Sequence, residues 1–268
     1  MGTVVGALIV THTPRIADES KAPAFTREMI RGMHELGKEV ERLRPDALVQ
    51  VSTHWVTTFH HYVLGHKRHR GVLTASEAPD MISGVPYDFP GDPELAETVV
   101  AKGKERGLPV ILSAANYFVL DYGTLNPLLH LTPKFDIPVV PISSCLLADL
   151  QECVHWGETI AEGIKQTSKR VMVVASGALS HTLVRGPEKW PSEESQRLDR
   201  RFVELMTQGK TEELKSFFPG FAKDVDAEMG GRHLAILLGA TGGVFRGRLH
   251  AYGPSSGTGN AVVSLEPA

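Results

Sequence analysis

The run Val171-Met172-Val173-Val174 constrains this chain more than any other segment. Four successive apolar residues, three of them β-branched, cannot alternate between core and water, so the run suits a strand buried on both faces. Such a strand needs helices packed above and below it. The surrounding pattern supplies them. An apolar run at 3–10 leads to a helix around 22–42 with apolar Phe25, Met29, Met33, Leu36 and Val40. Short strands are expected at 46–51 and 61–65, separated by a loop at 52–58, and a long irregular connection over 67–92. Asp92-Pro93 then opens a helix to about 106, with proline in its first turn. Strands at 110–113, 138–143 and 170–176 alternate with helices near 122–131 and 149–167. Helical patterns follow at 192–208 and 211–239, the latter broken near Pro219, and two strands close the chain at 246–252 and 260–265.

No internal repeat or linker divides the 268 residues, so the expectation is a single α/β domain, 1–268, with a central mixed sheet covered by helices. Lys plus Arg total 28 against 31 Asp plus Glu, a net charge of −3 that offers no general attraction to nucleic acid. Cys145 and Cys153 are too few for a disulfide framework, which points to a reducing, cytoplasmic setting. The apolar start lacks a basic leader and stops at Thr11-His12. No run approaches the roughly 18 apolar residues a membrane span needs, and Gly6 stands where a myristoylation signal wants Ser or Thr. No membrane attachment is expected. Twelve histidines are the unusual component, because imidazole is both the commonest metal ligand and the usual proton carrier near neutral pH.

His12 follows the first strand and His54 follows the second, so two imidazoles are expected to meet above neighbouring strand ends, where α/β proteins place ligands. A catalytic metal needs a third protein ligand, and Glu228 is the candidate. An acidic residue near a helix N-terminus needs no metal, however, and the spacing leaves both readings level. His181, among the small residues of Ser176-Gly177-Ala178-Leu179-Ser180, suits proton transfer as well as it suits a surface histidine after a capping serine. His60 and His61 lie on opposite strand faces, so at most one points toward the site, in a supporting or structural place. Asp121-Tyr122-Gly123-Thr124 reads as a capped turn, or as a source of a tyrosine hydroxyl for a substrate oxygen. Gly253–Asn260 reads as a tight loop, and Lys67-Arg68-His69-Arg70 as a solvated one.

Together these segments resemble the class III extradiol ring-cleavage dioxygenases, the superfamily that includes protocatechuate 4,5-dioxygenase beta subunits. THTP at 11–14, STHW at 52–55, VLTASEAPDMI at 72–82, YDFPGDPEL at 87–95, DYGTLNPL at 121–128, SGALSH at 176–181 and PSSGTG at 254–259 are most similar to homoprotocatechuate 2,3-dioxygenases of this class. HW followed by HH, DYGT, LSH, ELMTQGK and GTGNAVV are similar to 2-aminophenol 1,6-dioxygenase beta subunits. The resemblance implies Fe2+ held by His12, His54 and Glu228, with His181 as acid/base residue. Many members have histidine where this chain has Tyr122, which leaves His181 as the principal proton carrier. It further implies a small aromatic substrate, O2 as co-substrate, and a homo-oligomer or a second subunit type. The expected reaction inserts both oxygen atoms into a homoprotocatechuate-like catechol to give a muconic semialdehyde. The rivals are ring cleavage of 2-aminophenol and a metal-poor interaction protein of the Memo type, against which the full histidine and glutamate set argues. An acidic side chain on the ring is expected to meet a cation from 67–70 or Arg232.

Overall fold

The computed structural model describes residues 1–115 and 118–268. Strands β1 (Thr3–Val10), β2 (Ala47–Thr57), β3 (His61–Leu64), β6 (Val110–Ser113), β7 (Val139–Cys145), β8 (Arg170–Ser176), β9 (Phe245–Ser255) and β10 (Thr258–Pro267) form one sheet, and β4 (Arg68–Leu73) pairs with β5 (Val85–Pro90) in a separate hairpin. The order β6-β3-β7-β2-β8-β1-β10-β9 is mixed. β1, β8, β2 and β7 run parallel, whereas β10 is antiparallel to both β1 and β9. The expected mixed sheet covered by helices is therefore what the chain forms.

The apolar run that demanded two-sided burial lies at the centre of this sheet. Val171, Val173 and Ala175 face a layer containing Trp156, Ile160 and Leu234, while Met172 and Val174 face one containing Met33, Leu36 and Leu125. The first layer is built by α2 (Pro93–Glu105), α4 (Leu150–Lys165), α5 (Glu193–Thr207), α6 (Thr211–Asp224) and α7 (Arg232–Thr241). The second is built by α1 (Arg27–Leu43) and α3 (Tyr122–Leu131). Each fully buried Leu, Ile or Phe contributes roughly 1.5–3 kcal/mol. No helix among the described residues is long and apolar enough to cross a membrane.

Four element boundaries differ from the sequence expectation. The helix expected from 22 begins at Arg27, because 3-10 turns at 14–16, 19–21 and 24–26 precede it and Ala22, restricted by the following proline, and Pro23 are held in extended backbone. The expected loop at 52–58 is largely strand. β2 continues to Thr57 through a register shift between Val51 and Val56, held by pairing of Val56 and Thr57 with β7 and by Ser144 Oγ donating to Ser52 O. The irregular stretch 67–92 contains the β4–β5 hairpin. Its alternation is masked because exposed positions of β4 carry Val72 as well as Arg68 and Arg70, while buried positions carry His69 beside Leu73. Finally, Pro219 lies inside α6. The helical pattern breaks instead around Asp226, Met229, Gly230 and Gly231, all of which have positive φ.

Close packing of α4 on α7 depends on two glycines. A Cβ at Gly157 would run into Ile236 O, and one at Gly239 into Val154 O. Alanine gains about 0.8–1.0 kcal/mol in helix propensity, but forcing atoms into a packed contact costs typically 1–3 kcal/mol. Gly239→Ala is therefore expected to lower stability, read as a reduced urea midpoint with unchanged m-value. An unchanged or raised midpoint would show that the helices separate freely.

Candidate active site

Three polypeptide segments converge at the C-terminal edge of β1, β8 and β2. His12 lies two residues past β1, His54 lies within the irregular half of β2, and the chain leaving β8 runs to His181. β1 and β2 are not neighbours as expected, since β8 lies between them. That intervening strand supplies Ser176, which settles which ring nitrogen of His12 donates.

Ser176 Oγ lies 2.6 Å from Gly123 O and 3.0 Å from His12 Nδ1. A carbonyl only accepts, so the hydroxyl proton is committed to Gly123 and the serine oxygen must accept from His12 Nδ1–H. The Nε2 of a neutral His12 then carries a lone pair, and it faces Glu228 Oε1 at 3.5 Å. His12 is further fixed through its carbonyl, which accepts from Asn126 Nδ2 at 3.0 Å. His54 presents its Nε2 to the same Glu228 oxygen at 3.6 Å and its Nδ1 to Glu77 at 3.5 Å. Burial, aided by the neighbouring His12, lowers the His54 pKa and favours the neutral ring, although the carboxylates of Glu228, Asp121 and Glu77 oppose the shift. The two imidazole rings meet edge-on, 88° apart with centroids at 4.8 Å.

Glu228 is buried and reaches this point because the positive-φ residues Asp226 and Met229 bend the chain on either side of it. The bend is zipped onto the loop after β8: His181 N donates to Val225 O, Glu228 N donates to Leu179 O, and Ser180 pairs with Ala227. Thr53 Oγ1 donates to Glu228 Oε1 at 2.6 Å, and Ala178 N to Oε2 at 2.5 Å. Burial alone would push this carboxyl up; the positive charge that the imidazoles of His12, His181 and His233 carry when protonated pulls it well below the usual range, and the donors Thr53 and Ala178 favour its charged form. An ionised oxygen and two imidazole nitrogens thus converge, their ligand atoms all within 4.8 Å of one another. Ligand atoms about 2.0–2.2 Å from a common ion stand roughly 3–3.5 Å apart, so the donor set fits a divalent transition metal.

A cavity of about 370 Å³ opens above this set, lined by His12, His54, Glu228, Tyr122 and His181. Tyr122 opens α3 under an Asp121 cap, its ring 4.0 Å from that of His54. Burial and the Glu228 charge raise its phenol pKa, so it keeps its proton and can donate. Gly123 follows because a Cβ there would strike Ser52 Oγ. Ser180, the residue before His181, is held in a buried network in which Ser180 Oγ and Tyr252 OH both donate to Asp199. Burial raises the Asp199 pKa to about 6. The Gly253–Asn260 segment forms the β9–β10 hairpin, as expected of a tight loop, and Ser255, Ser256 and Thr258 reach the cavity wall.

The basic residues do not take the places expected of them, whereas His61 has the structural place expected. His61 points away, its Nε2 3.0 Å from Glu152 and its ring stacked on Trp156. Arg232 does not face the cavity as a carboxylate partner; its guanidinium donates to the carbonyls of Ala148, Met229 and Leu146. Arg68 and Arg70 pair with Asp88, and the 67–70 stretch borders a different pocket. Among the described residues, the cation that lines the cavity is Arg15, directly after Pro14 in the turn that follows Thr13. Its signal was adjacency to His12, and Glu77 and Thr53 were likewise readable only as neighbours of His54 in space or sequence.

This arrangement has a family. Residues 6–264 match the model of the catalytic LigB subunit of aromatic ring-opening dioxygenases, and the chain belongs to that family. It is 29% identical to a 2-aminophenol 1,6-dioxygenase beta subunit from a Pseudomonas species, over 98% of this chain and 93% of the relative. It is 26% identical to a 3,4-dihydroxyphenylacetate 2,3-dioxygenase from Escherichia coli, over 95% of this chain and 96% of the relative. The crystal structure of uncharacterized protein JW3007 from Escherichia coli K12 shares the fold, with a TM-score of 0.70 at 22% identity over 97% and 99% of the two chains.

Groups that orient a metal-binding histidine typically contribute 10- to 100-fold in affinity. Ser176→Ala removes the acceptor for His12 Nδ1–H and is expected to weaken metal binding by about that factor, measured by competition with a chelator. Unaltered affinity would mean that another group sets the tautomer.

Proposed function

We propose that residues 1–268 act as one catalytic domain, a cytoplasmic non-haem Fe2+-dependent extradiol dioxygenase for a homoprotocatechuate-like catechol. The observation that carries this reading is the convergence of His12 Nε2, His54 Nε2 and an ionised Glu228 in one cavity with His181 and Tyr122. When bound, ferrous ion supplies open positions for both diol oxygens and for O2, together with the redox step that zinc lacks. The free, buried Cys145 and Cys153 support a reducing compartment.

The chain's own residues then have separable tasks. His181 accepts a proton from a diol hydroxyl as substrate enters and returns it to the departing oxygen when the O–O bond breaks. Tyr122 donates a hydrogen bond to a substrate oxygen from a phenol that stays protonated. Arg15 offers its guanidinium to a carboxylate on the ring substituent, a role that Lys67, Arg68, Arg70 and Arg232 are not positioned to fill. The carbon–carbon bond beside the two oxygens is cleaved. Both atoms of O2 enter the product, a muconic semialdehyde.

The 29% relative supports a second reading, in which 2-aminophenol replaces the diol and a second subunit type completes the assembly. Comparative kcat/KM for homoprotocatechuate, catechol and 2-aminophenol on iron-loaded protein separates the readings. A clear preference for the amine would overturn the diol assignment, and absence of both iron binding and O2 uptake would favour a non-catalytic interaction protein.

His181→Asn is expected to keep its metal while turnover falls by about 100-fold or more, the usual contribution of a general acid or base. Metal loss in this variant would instead make His181 a ligand. Arg15→Gln is expected to cut the kcat/KM preference for homoprotocatechuate over unsubstituted catechol by about 10-fold, the scale of a charge-assisted hydrogen bond in a partly closed cavity. An unchanged preference would remove Arg15 from substrate selection.

A further inference from the structure

A second group of metal-ligating side chains lies outside the cavity just described. Glu19 sits on the 3-10 turn Glu19–Lys21, His34 on α1 and His130 in the last turn of α3. His34 Nε2 is 2.6 Å and His130 Nδ1 is 3.2 Å from the same carboxylate oxygen of Glu19. The two rings stand 5.5 Å apart.

The chemical form of His130 is set from the far side of its ring. Its Nε2 lies 3.0 Å from Ile16 O, an atom that only accepts, so Nε2 carries a proton and the Nδ1 of the neutral ring carries a lone pair. This Nδ1 is buried, the side chain being 2% exposed, and it makes no hydrogen bond although Glu19 lies beside it. A buried acceptor aimed at a carboxylate without a proton between them is an unfavourable arrangement that a cation would relieve. Glu19 and His34 are half-exposed and can adjust. Ligand atoms about 2.0–2.2 Å from a tetrahedral ion stand roughly 3.3 Å apart, so His34 and Glu19 need to separate by only several tenths of an ångström.

We propose that Glu19, His34 and His130 form a second metal site, selective for a divalent transition ion of the zinc class, with water in the remaining position. Two imidazole nitrogens and one carboxylate oxygen favour such an ion over magnesium or calcium, which take mostly oxygen. On binding, the proton that His34 Nε2 shares with Glu19 is relocated through solvent to Nδ1, so the exposed ring takes the other tautomer and turns a lone pair to the ion.

This site ties together three elements that also frame the catalytic cavity. Tyr122, Asn126 and His130 recur every fourth residue on α3 and so share one face. Tyr122 reaches the cavity, Asn126 holds the carbonyl of His12, and His130 holds that of Ile16. Arg15 lies on the segment clasped between them. Gly37, one turn beyond His34, lets α1 approach the His130 carbonyl closely, since a Cβ there would lie 2.7 Å from it. A bound ion therefore pins the 14–21 segment to α1 and α3 and fixes the backbone from which Arg15 projects.

The test is a Zn2+ titration of the metal-free full-length chain against a chromophoric chelator. Two equivalents are expected for the unaltered protein and one for Glu228→Gln, which disables the other cluster. Adding His34→Ala to Glu228→Gln is expected to weaken the remaining equivalent by about 100-fold or more, and adding Glu19→Gln, which alters one exposed atom, to weaken it clearly as well. A single equivalent bound by the unaltered protein, surviving Glu228→Gln and lost with His34→Ala, would uphold this site while overturning the metal assignment of the other. No binding by Glu228→Gln, or a residual equivalent indifferent to both His34→Ala and Glu19→Gln, would overturn the proposal.

Discussion

The hydroxyl of Ser176 has one proton to give, and much of the site follows from where it goes. Directed to the Gly123 carbonyl, it obliges His12 to donate from Nδ1, so that the neutral ring turns its Nε2 lone pair toward Glu228. The same contact ties the end of β8 to the first turn of α3, where Tyr122 enters the cavity. Ser52 makes a parallel tie from β2, donating to the Asp121 cap at 2.5 Å while accepting from His54 N. Two serines at the ends of adjacent strands thereby fix one helix N-terminus and two histidines in a common frame. Because the serines stand on the sheet rather than on loops, the frame takes its rigidity from strands buried on both faces.

Glu228 reaches that frame by a different route. No strand carries it; a chain of positive-φ residues turns the segment between α6 and α7 so that a carboxylate points inward. Such backbone is costly for non-glycine residues such as Asp226 and Met229, on the order of 1–3 kcal/mol each. It is offset by hydrogen bonds to the loop after β8 and by the two donors that Thr53 and Ala178 bring to the carboxylate. The placement of Glu228 and the placement of His181 are consequently one structural problem, solved by a shared two-segment ladder. Arg232 belongs to the same solution, since it gathers the carbonyls of Ala148, Leu146 and Met229 at the start of α7.

The sheet and its helices were legible because hydrophobic periodicity reports burial directly. The β8 run, the amphipathic α1 and the Asp92-Pro93 start of α2 each carry their own local signal. What escaped was set by partners distant in sequence. β2 extends past Val51 because β7 offers pairing for Val56 and Thr57, and no residue between 52 and 57 announces that partner. The β4–β5 hairpin was hidden because charged and apolar residues share its exposed positions. Histidines 12 and 54 were readable as a pair from their strand-end positions, but the intervening β8 was not, since strand order is a property of the whole sheet. Arg15 was overlooked in favour of a denser basic cluster at 67–70, where Asp88 meets the charge of Arg68 and Arg70 on the partner strand.

Charge balance links these details to the proposed chemistry. In the proposed site, two neutral imidazoles and one carboxylate would leave a divalent ion with one net positive charge, which would favour a singly ionised diol over a neutral one. Burial holds His54 toward the neutral form, which keeps that ring's lone pair available as pH falls toward the ordinary histidine range. An acidic ring substituent adds a second negative charge that the ion does not balance, and Glu77, drawn toward His54, contributes another at the cavity wall. Arg15 is the lining residue whose charge opposes both. The proposed preference for an acidic catechol therefore depends on where the short segment after His12 is held, and that segment is fastened by Asn126 and His130 of α3 rather than by the sheet.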